Sequence, residues 1–216
     1  MKVGTDGVLL GAWCPCAGSR ILDIGTGSGL IALMLAQRCP KAEIDAIDID
    51  EESVKQAREN FEQSPWASRL HAQCIALQDF QSQILNFRYD TIVSNPPYFV
   101  DSLKNPNRQR QTARHTDSLS YSELVGYAAE LLSEAGLLSL VLPAEAESQI
   151  LSEAAQVGLF PTRLTHVYTK PGKPMKRVLV AFSRTRRTCQ TEDFYIESET
   201  SPRSAAYQKL TEAFYL

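Results

Sequence analysis

The sequence predicts an α/β protein: a three-layer sandwich built on a seven-stranded, mostly parallel sheet that ends in an antiparallel edge hairpin. Three observations predict it. From Arg20 to Gly158 short apolar runs alternate with helical stretches, the rhythm of strands joined by crossover helices. A glycine-rich turn, Asp23-Ile24-Gly25-Thr26-Gly27-Ser28-Gly29, closes the first run and opens a helical pattern. After Gly158 two strand-like runs follow each other with only a Pro/Gly/Lys stretch between them, so no crossover helix fits.

The elements come in order. Strands are expected at 20–24, 43–49, 70–77, 89–94 and 137–142, and helices at 30–37, 51–63, 121–133 and 144–156. Right-handed crossovers make these five strands parallel. Runs 161–168 and 177–182, joined by 169–176, add an antiparallel hairpin at one edge and bring the count to seven. The tail from Thr188 is polar and weakly patterned, with a short helix expected over 205–214. Together they read as one domain over 1–216: a segment 1–19 before the glycine turn, an alternating core 20–158, a basic edge hairpin 159–187 and a C-terminal tail 188–216.

A chain of 216 residues is long enough to bury a substantial single core. Its 22 Lys and Arg against 25 Asp and Glu give a net charge of −3, which excludes a wholly basic nucleic-acid binder but not local basic patches. The five cysteines, Cys14, Cys16, Cys39, Cys74 and Cys189, are odd in number and irregularly spaced. Three lie within or beside apolar segments, where free buried thiols are expected. Cys14-Pro15-Cys16 has no matching second pair, so no metal site is expected. With no signal peptide and no long apolar span, the expected setting is the reducing cytoplasm, away from membranes.

The glycine turn carries the first functional signal. Gly25, Gly27 and Gly29 follow a strand and precede a helix, where glycine allows positive φ and close approach of the backbone to a ligand. A dinucleotide fingerprint, G-x-G-x-x-G, would need its third glycine where Leu30 stands. Asp23, at the strand end, would repel phosphates yet can accept hydrogen bonds from an amino-acid ammonium. Asp48 ends the second strand about 20 residues beyond the glycines, where a carboxylate can hold ribose hydroxyls. Asp50 suits the cap of the next helix. Asp79 follows the third strand, where it can meet an adenine amine or cap a helix. These features favour S-adenosylmethionine as the cofactor.

The second signal is Asn95-Pro96-Pro97-Tyr98, directly after the strand-like run 89–94. An exocyclic amine conjugated to a ring is a poor nucleophile because its lone pair is delocalised. Acceptors that hold both N–H groups, the Asn95 side-chain carbonyl and the Pro96 backbone carbonyl, favour a pyramidal amine. Proline stiffens the turn and removes backbone donors, and Tyr98 offers a stacking face worth ~1–3 kcal/mol for a nucleobase. Positioning is then the main catalytic contribution, with neither a metal nor a covalent intermediate.

This arrangement resembles the class I methyltransferases, Rossmann-like enzymes whose Asn-Pro-Pro-Tyr motif serves adenine N6, guanine N2 or glutamine amides. Residues 1–13, 94–99, 110–116 with Leu119, and 176–180 are similar to bacterial tRNA1(Val) adenine-N6-methyltransferases, a likeness running to about Arg184. The resemblance implies methylation of the adenine 3′ of the anticodon, position 37, of a valine tRNA. It implies cofactor contacts at Asp23, Gly25, Asp48 and Asp79, with Thr5 and Asp6 near the methionine end, and a base pocket of Asn95, Pro96, Pro97 and Tyr98. Members of that family usually carry a further aromatic and basic stretch before the segment with which this sequence starts.

Charge fits an RNA substrate. Residues 154–191 hold no Asp or Glu but contain Arg163, Lys170, Lys173, Lys176, Arg177, Arg184, Arg186 and Arg187. A second cluster holds Lys104, Arg108, Arg110, Arg114 and His115. Segments 104–115 and 163–187 are therefore the expected tRNA contacts, although lysines on an exposed hairpin also guard a sheet edge. His71 and His166 lie in strand-like runs and read as structural. The alternatives are a protein-glutamine N5-methyltransferase acting on a release factor, a DNA adenine methyltransferase, a non-catalytic RNA-binding module with this fold, and a nicotinamide oxidoreductase. No obligate protein partner is evident.

Overall fold

In the computed structural model, residues 4–84, 88–97 and 119–214 are described. Among them an eight-stranded sheet runs in the order β3-β2-β1-β4-β5-β7-β6-β8. The strands are β1 Arg20–Ile24, β2 Glu43–Asp48, β3 Leu70–Cys74, β4 Tyr89–Ser94, β5 Leu132–Pro143, β6 Phe160–Tyr168, β7 Met175–Ser183 and β8 Gln190–Tyr195. The helices are α1 Thr5–Trp13, α2 Leu30–Arg38, α3 Glu51–Glu62, α4 Leu77–Gln83, α5 Tyr121–Leu131, α6 Glu147–Gln156 and α7 Ala205–Thr211. Strands β1 to β5 are parallel to one another, and β7 runs antiparallel between β5 and β6.

The sheet thus has one strand more than expected. Tail residues Gln190–Tyr195 pair parallel to β6, so the β6–β7 hairpin is not the edge of the sheet. The new edge strand is polar and largely exposed, with Glu192 and Asp193 on it, a composition that discourages pairing with another chain. The segment 1–19 also holds α1, whose residues Gly7 to Trp13 are all buried. β5 starts at Leu132, directly after α5, rather than at Leu137; a register shift against β4 accommodates the extra residues.

Local chemistry explains the boundaries. Asp50 caps α3, accepting from the Ser53 N–H at 2.9 Å, and Ser120 and Glu123 form a reciprocal capping box on α5. Two apolar layers sandwich the sheet. One gathers Leu22, Ile92, Leu124, Leu138 and Ile150 under α5 and α6; the other gathers Leu9, Leu35, Phe61, Val93 and Leu179 under α1, α2 and α3. Cys14 is buried and free, whereas Cys16 and Cys39 are joined in a disulfide with Cα atoms 6.1 Å apart. That pairing departs from the expected free thiols: the ends of α1 and α2, distant in sequence, meet in space. No described helix is long and apolar enough to cross a membrane.

Candidate active site

In a parallel sheet the loops that leave the C-terminal strand ends share one edge, and here they carry the predicted residues. The pairing Ile24↔Ser94 makes Gly25 and Asn95 the first residues beyond two adjacent strands, about 4.8 Å apart laterally. The Ser94 hydroxyl donates to the Ile24 carbonyl at 2.8 Å and locks the two ends together. Asn95 is half-buried, Pro96 buried and Pro97 exposed. Tyr98 and the cluster Lys104, Arg108, Arg110, Arg114 and His115 lie outside the described residues.

The glycines of the turn divide their work. Gly25 is exposed with φ 70°, and a Cβ there would meet nothing within 4 Å, so its backbone is open to a ligand. Gly27 has φ 57° and donates its N–H to Asp48 Oδ2 at 2.8 Å. Gly29, with φ 81°, is buried, and a Cβ would stand 2.4 Å from Phe61 of α3. Its glycine is required by packing and by the left-handed cap of α2, not by ligand approach. The turn is braced further by Gly25 and Thr26 N–H groups on the Ile47 carbonyl, and by Asn60 on the Ser28 carbonyl.

Asp23 is the electrostatic centre. It has 0% exposure, and Oδ2 accepts from the Thr26 hydroxyl at 2.7 Å. Oδ1 has no partner among the described residues. Burial pushes its carboxyl up to about 7, against the lowering pull of the Thr26 hydroxyl and the Ala32 N–H. A buried carboxylate with one unused oxygen beside an open glycine turn fits the ammonium end of S-adenosylmethionine.

Asp48 closes the second strand as expected, but both its oxygens already accept backbone N–H groups, from Gly27 and from Asp50 at 3.0 Å. It therefore shapes the turn, and each oxygen keeps a further lone pair for a ribose hydroxyl. The Ile75 N–H donates to the Asp48 carbonyl at 2.9 Å, drawing the β3–α4 connection to the same edge. Asp79 is exposed in the first turn of α4, not at its cap, which Ala76 occupies. Ile49 belongs to no motif in the sequence. At 59% it is an exposed large hydrophobic residue among the described ones, directly after Asp48. An isoleucine between two aspartates at a strand end is the signal that would have found it.

Thr5 is exposed on the first turn of α1. Asp6 is held by Arg177 of β7, Nε to Oδ2 at 2.8 Å. The α1 backbone packs on α2, where a Cβ on Gly7 would touch Leu30 at 3.3 Å. The first turn of α1 thereby stands beside the glycine turn, with Asp6 as its anchor.

The basic segment 163–187 does not form one patch. β5 pairs antiparallel with β7 from Leu138↔Phe182 to Pro143↔Arg177. Lys170, Lys173, Lys176 and Arg177 therefore lie toward the Asn95 edge, and Arg184, Arg186 and Arg187 toward the opposite one. Several arginines have protein partners: Arg163 binds Glu192 at 2.7 Å and lies 4.7 Å over Trp13, Arg184 donates to the Ala129 carbonyl, and Arg186 covers the Phe160 ring at 4.5 Å.

Comparison with known proteins agrees with this geometry. The methyltransferase small domain family model matches residues 7–157. A Bacteroides fragilis tRNA1(Val) (adenine(37)-N6)-methyltransferase is 50% identical over 217 residues, covering 100% of this chain and 91% of that protein. One named alike from Edwardsiella ictaluri is 43% identical, covering 100% and 87%. Among solved structures, a predicted O-methyltransferase from Agrobacterium tumefaciens superimposes with TM-score 0.75 at 18% identity over 96% of each chain. A ribosomal protein L11 methylase from Lactobacillus delbrueckii gives 0.58 at 18%, over 83% of this chain and 77% of that one. The chain belongs to the methyltransferase small-domain family and, within it, to the bacterial tRNA1(Val) adenine-N6-methyltransferases.

Proposed function

We propose that this protein methylates N6 of adenine 37 in tRNA1(Val), with S-adenosylmethionine as the methyl donor. The observation that carries it is the Ile24↔Ser94 pairing, which sets the open Gly25 turn and Asn95 side by side on one sheet edge. When bound, S-adenosylmethionine supplies an electrophilic methyl group on a sulfonium. Asp23 Oδ1 receives the cofactor ammonium, and the Gly25 backbone lets its chain lie close. Asp48 accepts from ribose hydroxyls, Ile49 offers an apolar face to the adenine, and Asp79 accepts from the adenine amine.

The Asn95 carbonyl and the Pro96 backbone carbonyl accept the two N6 hydrogens of the target adenine and hold its lone pair toward the methyl group. Tyr98 stacks on the base. As the N–C bond forms and the C–S bond breaks, the amine becomes cationic, and its proton passes to water. No general base is needed, because the methylated ammonium is strongly acidic. The rate gain comes from orientation and desolvation. An anticodon-loop adenine reaches this edge only when splayed from its stack. Segment 104–115 and the part of 163–187 that lies toward the Asn95 edge hold the RNA, and the reaction takes place in the cytoplasm.

The test is transfer of labelled methyl to tRNA from a strain lacking the corresponding gene, followed by nucleoside mass spectrometry. N6-methyladenosine at position 37 of tRNA1(Val) is the expected product. Label in a release factor and none in RNA would overturn the assignment in favour of glutamine.

A further inference from the structure

We propose that Tyr168 and Tyr195, with Lys170, Lys173 and Lys176, form the platform on which the substrate RNA rests beside the target pocket, while the arginines of the opposite edge take no part. This rests on the RNA reading above and says which part of the basic segment the RNA meets.

The register carries the placement. β6 and β8 are parallel to each other and antiparallel to β7, so they run in the same sense as β4 and β5. Tyr168 and Tyr195 are paired at the C-terminal ends of β6 and β8, the same edge as Asn95. Ser94 pairs with Leu140 and Leu140 with Val180, whereas Arg177 pairs with Pro143. Arg177 in β7 therefore stands three residues, roughly 10 Å, beyond the end of β4. Laterally, β6 and β8 are three and four strand spacings from β4, about 14 and 19 Å. That offset is on the order of five stacked nucleotides, which suits an arm whose loop base occupies the pocket.

The surface chemistry is that of a nucleic-acid platform. The tyrosine rings stack with centroids 5.1 Å apart and planes 24° apart, and both side chains are part-exposed. Lys170, Lys173 and Lys176 are exposed and make no ion pair with a described residue. Glu147 and Asp193 lie 3.1 and 3.6 Å from the two nitrogens of His166, and Asp193 also accepts from the Tyr168 hydroxyl, which orients that ring. The loop carrying the lysines is fixed. Glu197 donates its N–H to the Thr169 carbonyl at 2.7 Å, Lys173 donates to the Lys170 carbonyl at 3.2 Å, and Gly172 turns at φ 76°. Aromatic faces interleaved with unpaired lysines on a rigid loop bind stacked bases and phosphates together. On the opposite edge, Arg184 and Arg186 are already spent on Ala129 and Phe160.

The experiment measures binding of an unmodified tRNA1(Val) transcript between 50 and 200 mM salt, with cofactor affinity and thermal midpoint recorded for each variant. The triple variant Lys170→Ala/Lys173→Ala/Lys176→Ala should weaken tRNA binding by tenfold or more and lower the log–log salt slope by about 2–3. Tyr195→Ala should weaken it roughly tenfold with the salt slope kept. Arg187→Ala should leave binding within about twofold, and cofactor affinity should be constant throughout. Wild-type affinity and slope in the triple variant would overturn the platform. So would an effect of Arg187→Ala as large as that of one lysine, which would make the attraction a diffuse field. If wild-type protein neither binds nor methylates the transcript, the RNA reading itself falls.

Discussion

Asp23 makes binding of the cofactor depend on pH in a direction fixed by its burial. Its carboxyl is raised to about 7, first by desolvation, so below that pH the free protein carries it neutral. A cationic ammonium needs the carboxylate, so affinity should fall as pH falls through 7. The ionised fraction is about 3% at pH 5.5 and about three quarters at pH 7.5, a change of roughly 25-fold. Above that window the ligand's own α-amino group titrates, near 8, so measurements stop at pH 7.5. Isothermal titration of S-adenosylmethionine should show Kd decreasing about 25-fold from pH 5.5 to 7.5, with proton release on binding. The ligand-free protein should move the other way. A carboxyl that is neutral in the fold but ionised in the unfolded chain binds more protons when folded, so stability declines as pH rises from about 4 to 7. Asp23→Asn keeps the shape, removes both trends and weakens binding at pH 7.5. A pH-independent Kd in the wild type, or unaltered affinity in Asp23→Asn, would refute the ammonium role.

The two exposed-versus-buried glycines separate packing from ligand approach. Gly29→Ala adds a left-handed penalty of ~1–2 kcal/mol to overpacking against Phe61 of ~1–3 kcal/mol, so thermal unfolding should shift down by an amount matching their sum. Gly25→Ala, with open space around its Cβ, should lose only the ~1–2 kcal/mol backbone share yet bind cofactor far more weakly; equal stability losses would contradict the division. Arg177→Met removes the Nε–Oδ2 contact to Asp6 and should destabilise by ~1–3 kcal/mol, with faster amide exchange in the first turn of α1 than elsewhere. Uniform exchange across the chain would remove Asp6 as the anchor of that turn.

What the sequence made legible depended on how each segment is buried. The parallel strands and the glycine turn were visible because strand runs and glycines mark themselves locally. α1 was not, since residues Gly7 to Trp13 are buried on every side and leave no amphipathic stripe to read. β8 was hidden for the opposite reason: as an exposed edge strand it has no apolar alternation. Asp48 was read for its ribose contact, but its grip on the Gly27 N–H is a long-range bond that spacing cannot reveal. Likewise the charges of 163–187 were visible, but the hairpin's reversal sends half of them to the far edge, where Arg163 is drawn to Glu192 and Trp13. Charge is a property of the chain, whereas its availability is a property of the fold.

The most direct test of the account is single-turnover methyl transfer by Asn95→Ala with tRNA1(Val) and saturating cofactor. Positioning of the amine by Asn95 predicts a rate lower by about 10²–10³, the loss typical of removing one preorganised polar contact at a reacting centre, with cofactor affinity unchanged. A rate within a few-fold of wild type at unchanged cofactor binding would contradict it, and would move the target amine away from the β4 edge.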